Sequence, residues 1–155
     1  MTYLILKSLH VLSVVLFLGN IITGVFWKFH GDRTGTLPAR AQALEGIIRS
    51  DRWFTLPGVV AIIAAGVALA IYGHFPLLRT PWIMWTLVLF GISGIVFSVR
   101  VAPMQRQLKA MAENGTRGDF DYERYRALAL RWEVWGAIAL LTPVAGLALM
   151  VLKPS

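Results

Sequence analysis

The stretch PWIMWTLVLFGISGIVFSV, residues 81–99, contains no charged side chain and is long enough to cross a membrane as a helix. A hydrocarbon core of about 30 Å needs about 20 consecutive apolar residues at the helical rise of about 1.5 Å per residue. Thr80 and Pro81 suit the N-cap and the first position of such a helix. The stretch therefore predicts a transmembrane helix.

Three other segments have the same apolar character, and the four predicted spans are approximately residues 3–29, 53–73, 81–103 and 128–152. The whole chain is 57% hydrophobic and 15% charged, against about 25% charged in a typical soluble domain. Lipid offers the backbone no hydrogen-bond partners, so only helices or closed barrels cross it, and these segments lack the alternation of barrel strands. The sequence predicts an all-α membrane protein, a four-transmembrane-helix up-down-up-down bundle that forms one domain over residues 1–155.

The basic residues indicate how the bundle is oriented. Twelve of the fifteen lysines and arginines lie in or beside residues 30–52 and 104–127, which are the predicted loops after the first and third spans. The positive-inside rule places these loops in the cytoplasm. Both termini are then expected on the periplasmic or external side of a bacterial inner (plasma) membrane. Orientation accounts for the net charge of +7, so no nucleic-acid partner is predicted.

Residue content excludes several kinds of chemistry. The chain has no cysteine, which excludes disulfides, thiolate metal sites and cysteine nucleophiles. It has no HExxH motif, no phosphate-binding glycine loop and no pair of carboxylates within a predicted span, which speaks against hydrolysis.

The first apolar segment lacks a basic n-region and an A-x-A-like cleavage site, so we expect it to be retained as a span. Asp119 or Asp121 is expected to begin the last helix.

The first predicted span carries an unusual row of polar side chains. They recur at steps of three and four residues with one gap at Phe17, and they are Lys7, His10, Ser13, Asn20, Thr23 and Trp27. Polar groups are costly against lipid, so the row predicts a face directed to the inside of the bundle. His10 is the main candidate for function, as a haem ligand, a metal ligand or a proton relay. The alternative is a neutral imidazole hydrogen-bonded across the bundle.

Other residues of the spans are secondary candidates. Asn20 suits a hydrogen bond between helices. Met84 and Met150 lie in the outer half of their predicted spans, where a thioether could bind haem iron or copper(I). Packing is the alternative for both methionines. Trp82 and Trp85 predict an outer aromatic belt; the residues expected in the inner belt are Tyr122, Tyr125, Trp132 and Trp135.

Several short motifs resemble those of known families. The opening LKSLHVL, residues 6–12, resembles the start of the HemJ-type protoporphyrinogen IX oxidases, which are four-helix inner-membrane haem proteins of bacteria. YERYR at 122–126 and VLKP at 151–154 are similar to the end of those proteins. LFLGN at 16–20 and the pair Trp27-Lys28 resemble a family of predicted integral membrane proteins (domain of unknown function 2269). A more remote similarity is to CopD-like copper-resistance membrane proteins.

The HemJ-type resemblance implies a haem b site in which His10 ligates the iron. That family pairs its histidine with a lysine on the third helix, and alignment on Trp82 places the lysine at Thr86. The third predicted span contains no lysine, which argues against protoporphyrinogen oxidation itself. With the candidates already noted in the predicted spans, the expected cofactor-binding residues are His10, Met84, Met150, Thr86 and Asn20.

The resemblance leaves more than one function open. A redox or tetrapyrrole-related membrane protein is the main hypothesis, and its expected partners are the lipid bilayer, haem or a porphyrin, and a second copy or a membrane redox protein. One alternative is a non-enzymatic membrane subunit or assembly protein, whose basic loops would dock a partner. The other is CopD-like copper handling through His10, Met84 and Met150.

Overall fold

The computed structural model describes residues 1–118 and 120–154, and nearly all of them are helical. The helices are α1 (Thr2–Arg33), α2 (Leu37–Ser50), α3 (Leu56–Tyr72), α4 (Pro81–Val96), α5 (Ala102–Gly115) and α6 (Tyr122–Leu152). Short π-helical turns, Asp51–Thr55 and Phe97–Val101, join α2 to α3 and α4 to α5 without a break.

Four continuous helices are therefore long and apolar enough to cross a membrane, and they are Thr2–Arg33, Leu37–Tyr72, Pro81–Gly115 and Tyr122–Leu152. No strand occurs in the described part of the chain. The predicted all-α, four-span class is confirmed. The helices extend further than the predicted spans, because most of residues 30–52 and 104–118 is helical.

The two π-helical turns lie directly before prolines. Pro57 and Pro103 are each the second residue of the helix that follows the turn. A proline has no amide hydrogen to donate, and its ring collides with the preceding turn of an α-helix. A wider π-helical turn accommodates an interruption of this kind within a helix. The chain consequently continues as one helix where each proline could have ended it.

The starts of two helices match their predicted caps. Thr80 occupies the N-cap of α4 in extended backbone, and Pro81 is the first helical residue. The Asp121 carboxylate caps α6 by accepting a hydrogen bond from the Arg124 amide at 3.0 Å. Asp119, the other residue predicted to begin this helix, lies outside the described residues.

Neighbouring helices run antiparallel, because their contacts pair early residues of one with late residues of the next. The first hairpin consists of α1 and the continuous α2–α3 helix, and the second consists of the continuous α4–α5 helix and α6. The facing pairs in the first hairpin are Phe17 with Gly58, Gly24 with Ile47 and Gly31 with Ala43. In the second hairpin they are Thr86 with Gly146 and Ser93 with Ala139. These pairs give the bundle its up-down-up-down path.

This path leaves the bundle with two different ends. The terminal end has both chain termini and the connection between α3 and α4. The basic end has α2, α5 and the start of α6, and the tightest packing lies there. Leu44 of α2 and Leu108 of α5 are fully buried, and residues of α6 complete the same core. Towards the terminal end, α3 does not closely approach α4 or α6 among the described residues.

Candidate functional site

His10 lies on α1 towards the terminal end and packs against α3. Its Nδ1 is 3.0 Å from the carbonyl oxygen of Ile62, so Nδ1 carries the hydrogen of this bond and Nε2 is left as an acceptor. Gly66 provides the space for the half-buried ring, because a Cβ at this position would lie 3.0 Å from Cε1. The bond is the cross-bundle contact expected of a neutral histidine. It is also the arrangement that orients a metal-binding imidazole.

The other candidates near the terminal end belong to the second hairpin. Thr86 faces α6, and its hydroxyl lies 2.7 Å from the carbonyl oxygen of Trp82 and 3.2 Å from that of Gly146. Met84 and Met150 are half-buried on α4 and α6, on the terminal side of the contact between Thr86 and Gly146. The described contacts of His10 are with α3, and none of them joins it to Thr86 or to either methionine.

The polar row on α1 does not form one inward face, and this expectation was wrong. Thr23 and Trp27 are exposed, and the Thr23 hydroxyl donates to the Gly19 carbonyl of its own helix at 2.8 Å. A hydroxyl satisfied within its own helix can face lipid without an unpaired polar group, so polar spacing alone does not mark the inner face. The buried residues of α1 are Phe17, Gly24, Lys28 and Gly31.

A polar cluster that was not anticipated from the sequence surrounds Asp51, on the π-helical turn before α3. The Asp51 carboxylate accepts hydrogen bonds from Thr55 Oγ1 at 2.9 Å, Asn20 Nδ2 at 3.3 Å and Gln105 Nε2 at 3.3 Å. Asn20 also donates to the Thr55 hydroxyl at 2.9 Å, so it links helices as predicted. No lysine or arginine among the described residues lies within 4.0 Å of Asp51.

An apolar cavity of about 290 Å³ lies between the two hairpins, with the Asp51 cluster as its polar floor. All four long helices contribute to its wall, which includes Phe17, Ile63 and Phe90. Four glycines also line it, and a Cβ added to three of them would meet nothing within 4 Å: Gly91, Gly94 and Gly136. The missing side chains thus leave part of the space open.

A second cavity, of about 450 Å³, lies between α1 and α2 nearer the basic end. Its lining is more polar and includes His30, Gln42 and Ser50. His30 is exposed and stacks on Phe26 with ring centroids 6.3 Å apart. This histidine therefore lies at the surface of the bundle.

Two buried cations share one carboxylate at the basic end. Lys28 and Arg40 are only 2% and 8% exposed. Lys28 forms an ion pair with Asp32, and Arg40 Nε is 3.8 Å from the same carboxylate. Tyr125 of α6 donates to Asp32 at 2.9 Å. Burial raises the pKa of the Tyr125 phenol and the nearby Asp32 charge raises it further, so the hydroxyl stays a donor.

This cluster was only partly visible in the sequence. Lys28 and Asp32 are four residues apart and share one helix face, which predicts their pairing. Their contacts with Arg40 and Tyr125 cross to α2 and α6, and no local pattern indicates them. The hydrogen bond between Asp51 and Thr55 could also be expected from the sequence, because Asp51 stands four residues before Thr55 at the entrance to an apolar segment.

Metal-binding groups of three or more histidine, aspartate or glutamate side chains are absent from residues 1–118 and 120–154. A metal bound at His10 would therefore need a thioether, a prosthetic group or another ligand to complete its coordination. Copper handling through His10, Met84 and Met150 stays a prediction.

Comparison with curated proteins and with solved structures gives no match. A family model described as predicted integral membrane protein (DUF2269) matches residues 4–154, which is nearly the whole chain. Its description agrees with the four long apolar helices and with one of the resemblances noted in the sequence. The chain belongs to the DUF2269 family of predicted integral membrane proteins.

Proposed function

We propose that this membrane protein binds haem b through His10 and has a redox or tetrapyrrole-related role. The observation that supports this best is the hydrogen bond from His10 Nδ1 to the Ile62 carbonyl. Histidines that ligate iron commonly donate their other ring nitrogen to a carbonyl or carboxylate, which orients the ring and raises its basicity. Nε2 of His10 is the nitrogen left for iron.

His10 would hold the iron as one protein ligand, through Nε2. Met84 and Met150 are the thioethers of the second hairpin that would supply another. Thr86 would not replace the HemJ-type lysine, since its short hydroxyl already contacts the carbonyls of Trp82 and Gly146. When bound, haem b would supply one-electron chemistry, while His10 would hold the iron and the apolar helices would exclude water. Protoporphyrinogen oxidation is not part of the proposal, because the lysine is missing.

A redox role would also require an electron partner in the same membrane. A membrane redox protein or a second copy of this chain would serve, and the exposed basic residues of α5 and α6 offer a charged surface for docking. We propose these partners only for a protein that binds haem.

The absorption spectrum tests haem binding directly. Protein expressed with added haem and purified in mild detergent is expected to show a Soret band, and His10→Ala should remove it. His30→Ala and His74→Ala are matched controls, because both side chains are exposed, and both should keep the band. A colourless wild-type protein, or a band of unchanged intensity in His10→Ala, would contradict the proposal.

A further inference from the structure

We infer that the cavity between the two hairpins binds a lipophilic amine, whose cationic ammonium group contacts Asp51 and whose apolar body fills the space above it. The site is separate from His10. Asn20, at the floor of the cavity, follows His10 by ten residues of α1, which is about 15 Å along the helix.

The charges around Asp51 indicate a cation as its missing partner. Its three hydrogen-bond donors are neutral, so they orient the carboxylate but leave its charge uncompensated. A half-buried carboxylate is costly unless a cation pairs with it. The other acidic residues of the described basic end that are partly buried have such partners: Lys28 and Arg40 lie beside Asp32, and Lys109 and Arg49 beside Glu45. A ligand is the natural source of the cation at Asp51.

The shape of the cavity selects an organic amine over a metal cation. Calcium takes about six to eight oxygen ligands, and magnesium also needs several, usually including bound waters. Asp51 is the single carboxylate that lines this cavity in the described part of the chain, and the walls are predominantly apolar. A volume of about 290 Å³ lies near the lower end of small-molecule pockets, about 300 Å³. A compact hydrocarbon body with one amino group matches both the wall and the floor.

Binding can be measured on the whole protein in lipid nanodiscs. Radiolabelled aminoadamantane is a suitable probe, since it combines a rigid apolar body with one ammonium group, and empty nanodiscs correct for its partition into lipid. Adamantanol and adamantane carboxylate, as competitors, keep the body and change the charge. We expect unlabelled amine to compete about tenfold or more better than either, which corresponds to one hydrogen bond between charged groups. Equal competition by the alcohol would overturn the inference.

Two pairs of variants locate the site. Asp51→Asn keeps the shape of the side chain and removes its charge, and it should weaken amine binding about tenfold or more. Glu45→Gln is the matched control on the same continuous helix, because Glu45 is also partly buried but lies outside the cavity, and it should bind normally. Unchanged binding by Asp51→Asn would overturn the inference.

The second pair fills space and does not touch the carboxylate. Gly94→Leu should extend into the cavity, where an added Cβ meets nothing within 4 Å, and abolish binding, whereas Gly19→Leu adds the same volume outside the cavity. This pair decides the question if Asp51→Asn fails to fold, and binding retained by Gly94→Leu would contradict the site. His10→Ala should bind the amine normally, so failure of the haem proposal and failure of this inference are distinguishable.

Discussion

Asp32 is the residue on which the charge balance of the basic end depends. It pairs with buried Lys28, lies beside buried Arg40 and accepts a hydrogen bond from Tyr125. Lys28 also lies over the rings of Tyr125 and Trp132, at 5.5 and 5.6 Å from their centroids. Loss of the carboxylate would leave two buried cations together without compensation.

We therefore predict that Asp32→Asn lowers the free energy of unfolding by about 3–5 kcal/mol, the usual cost of breaking a buried ion pair. Lys28→Met should cost less, because it removes the buried charge and leaves Asp32 paired with Arg40. Unfolding in mixed micelles by titration with a denaturing detergent, followed by circular dichroism, measures both changes. Glu45→Gln, in the solvent-accessible pair with Lys109, is the control and should change little. Equal losses in Asp32→Asn and Glu45→Gln would contradict this account.

The pair formed by Glu45 and Lys109 differs from the Asp32 cluster because solvent reaches it. Lys109 Nζ lies 2.7 Å from Glu45 and lowers the pKa of that carboxyl through a hydrogen bond and its charge. Both groups are accessible, so water and salt screen their attraction. The pair ties α2 to α5 at the surface, and the buried leucines beneath it provide most of the packing.

At the scale of the helices, close approach depends on individual glycines. A Cβ at Gly31 of α1 would lie 2.9 Å from the Cβ of Ala43 and 3.4 Å from the carbonyl oxygen of Ala39. The crossing of α1 over α2 is therefore tight at this point. Gly19, on the same helix, has open space around it. Small residues let membrane helices approach closely, but the sequence does not show which of them do so.

Gly31→Ala is predicted to destabilise the protein by about 1–3 kcal/mol, since an added methyl group would overpack the crossing. Gly19→Ala is the matched control and should be neutral or stabilise by up to about 1 kcal/mol, because alanine favours the helix more than glycine does. The same unfolding titration compares the two variants. A loss in Gly19→Ala as large as that in Gly31→Ala would show that helix packing at Gly31 is not the cause.

Contacts between helices also bury two aromatic residues that were predicted to lie at the membrane interface. Tyr125 and Trp132 were expected in an inner aromatic belt, but they are only 2% and 4% exposed and form part of the core. Their partners are on α1, α2 and α5, which bury the face of α6 that carries them. Tyr122, by contrast, is exposed.

At the scale of the whole molecule, the two hairpins are packed tightly at one end and separated by a cavity towards the middle. The long α2–α3 and α4–α5 helices contact each other through α2 and α5, at the end of the bundle where most of the basic residues lie. This asymmetry places the buried charges and the cavity floor on the basic side of the bundle and His10 on the terminal side.

The orientation of the bundle is a prediction from charge. Reporter fusions near Phe75 and after Ser155, which lies outside the described residues, should report an external location. Fusions near Gly35 and Asn114 should report the cytoplasm, because their surroundings hold most of the lysines and arginines. Alkaline phosphatase and fluorescent-protein fusions at these four positions make the measurement. The reverse pattern would overturn the assignment of both ends.

The fold was largely predictable and the cavity was not. The four spans, the N-cap position at Thr80 and the cap at Asp121 follow from local sequence, and the structure agrees with them. The inward face of α1 could not be predicted from its polar residues, because the hydroxyls of Thr23 and Ser13 donate to carbonyls of their own helix. Apart from the local pair of Asp51 and Thr55, the Asp51 cluster joins residues that are 31 and 54 positions apart, so no spacing rule could have indicated those contacts.

The sequence by itself determined that the chain is an all-helical membrane protein with four spans, because apolar length and the need for internal backbone hydrogen bonds leave few other structures in lipid. Only the tertiary structure decided how each helix is rotated, and hence that Lys28 and Asp51 lie inside the bundle and Gly94 lines the cavity, while Thr23 is exposed. The physical reason is that lipid is as apolar as the bundle interior. Hydropathy therefore shows where a helix crosses the membrane but not which of its faces meets another helix.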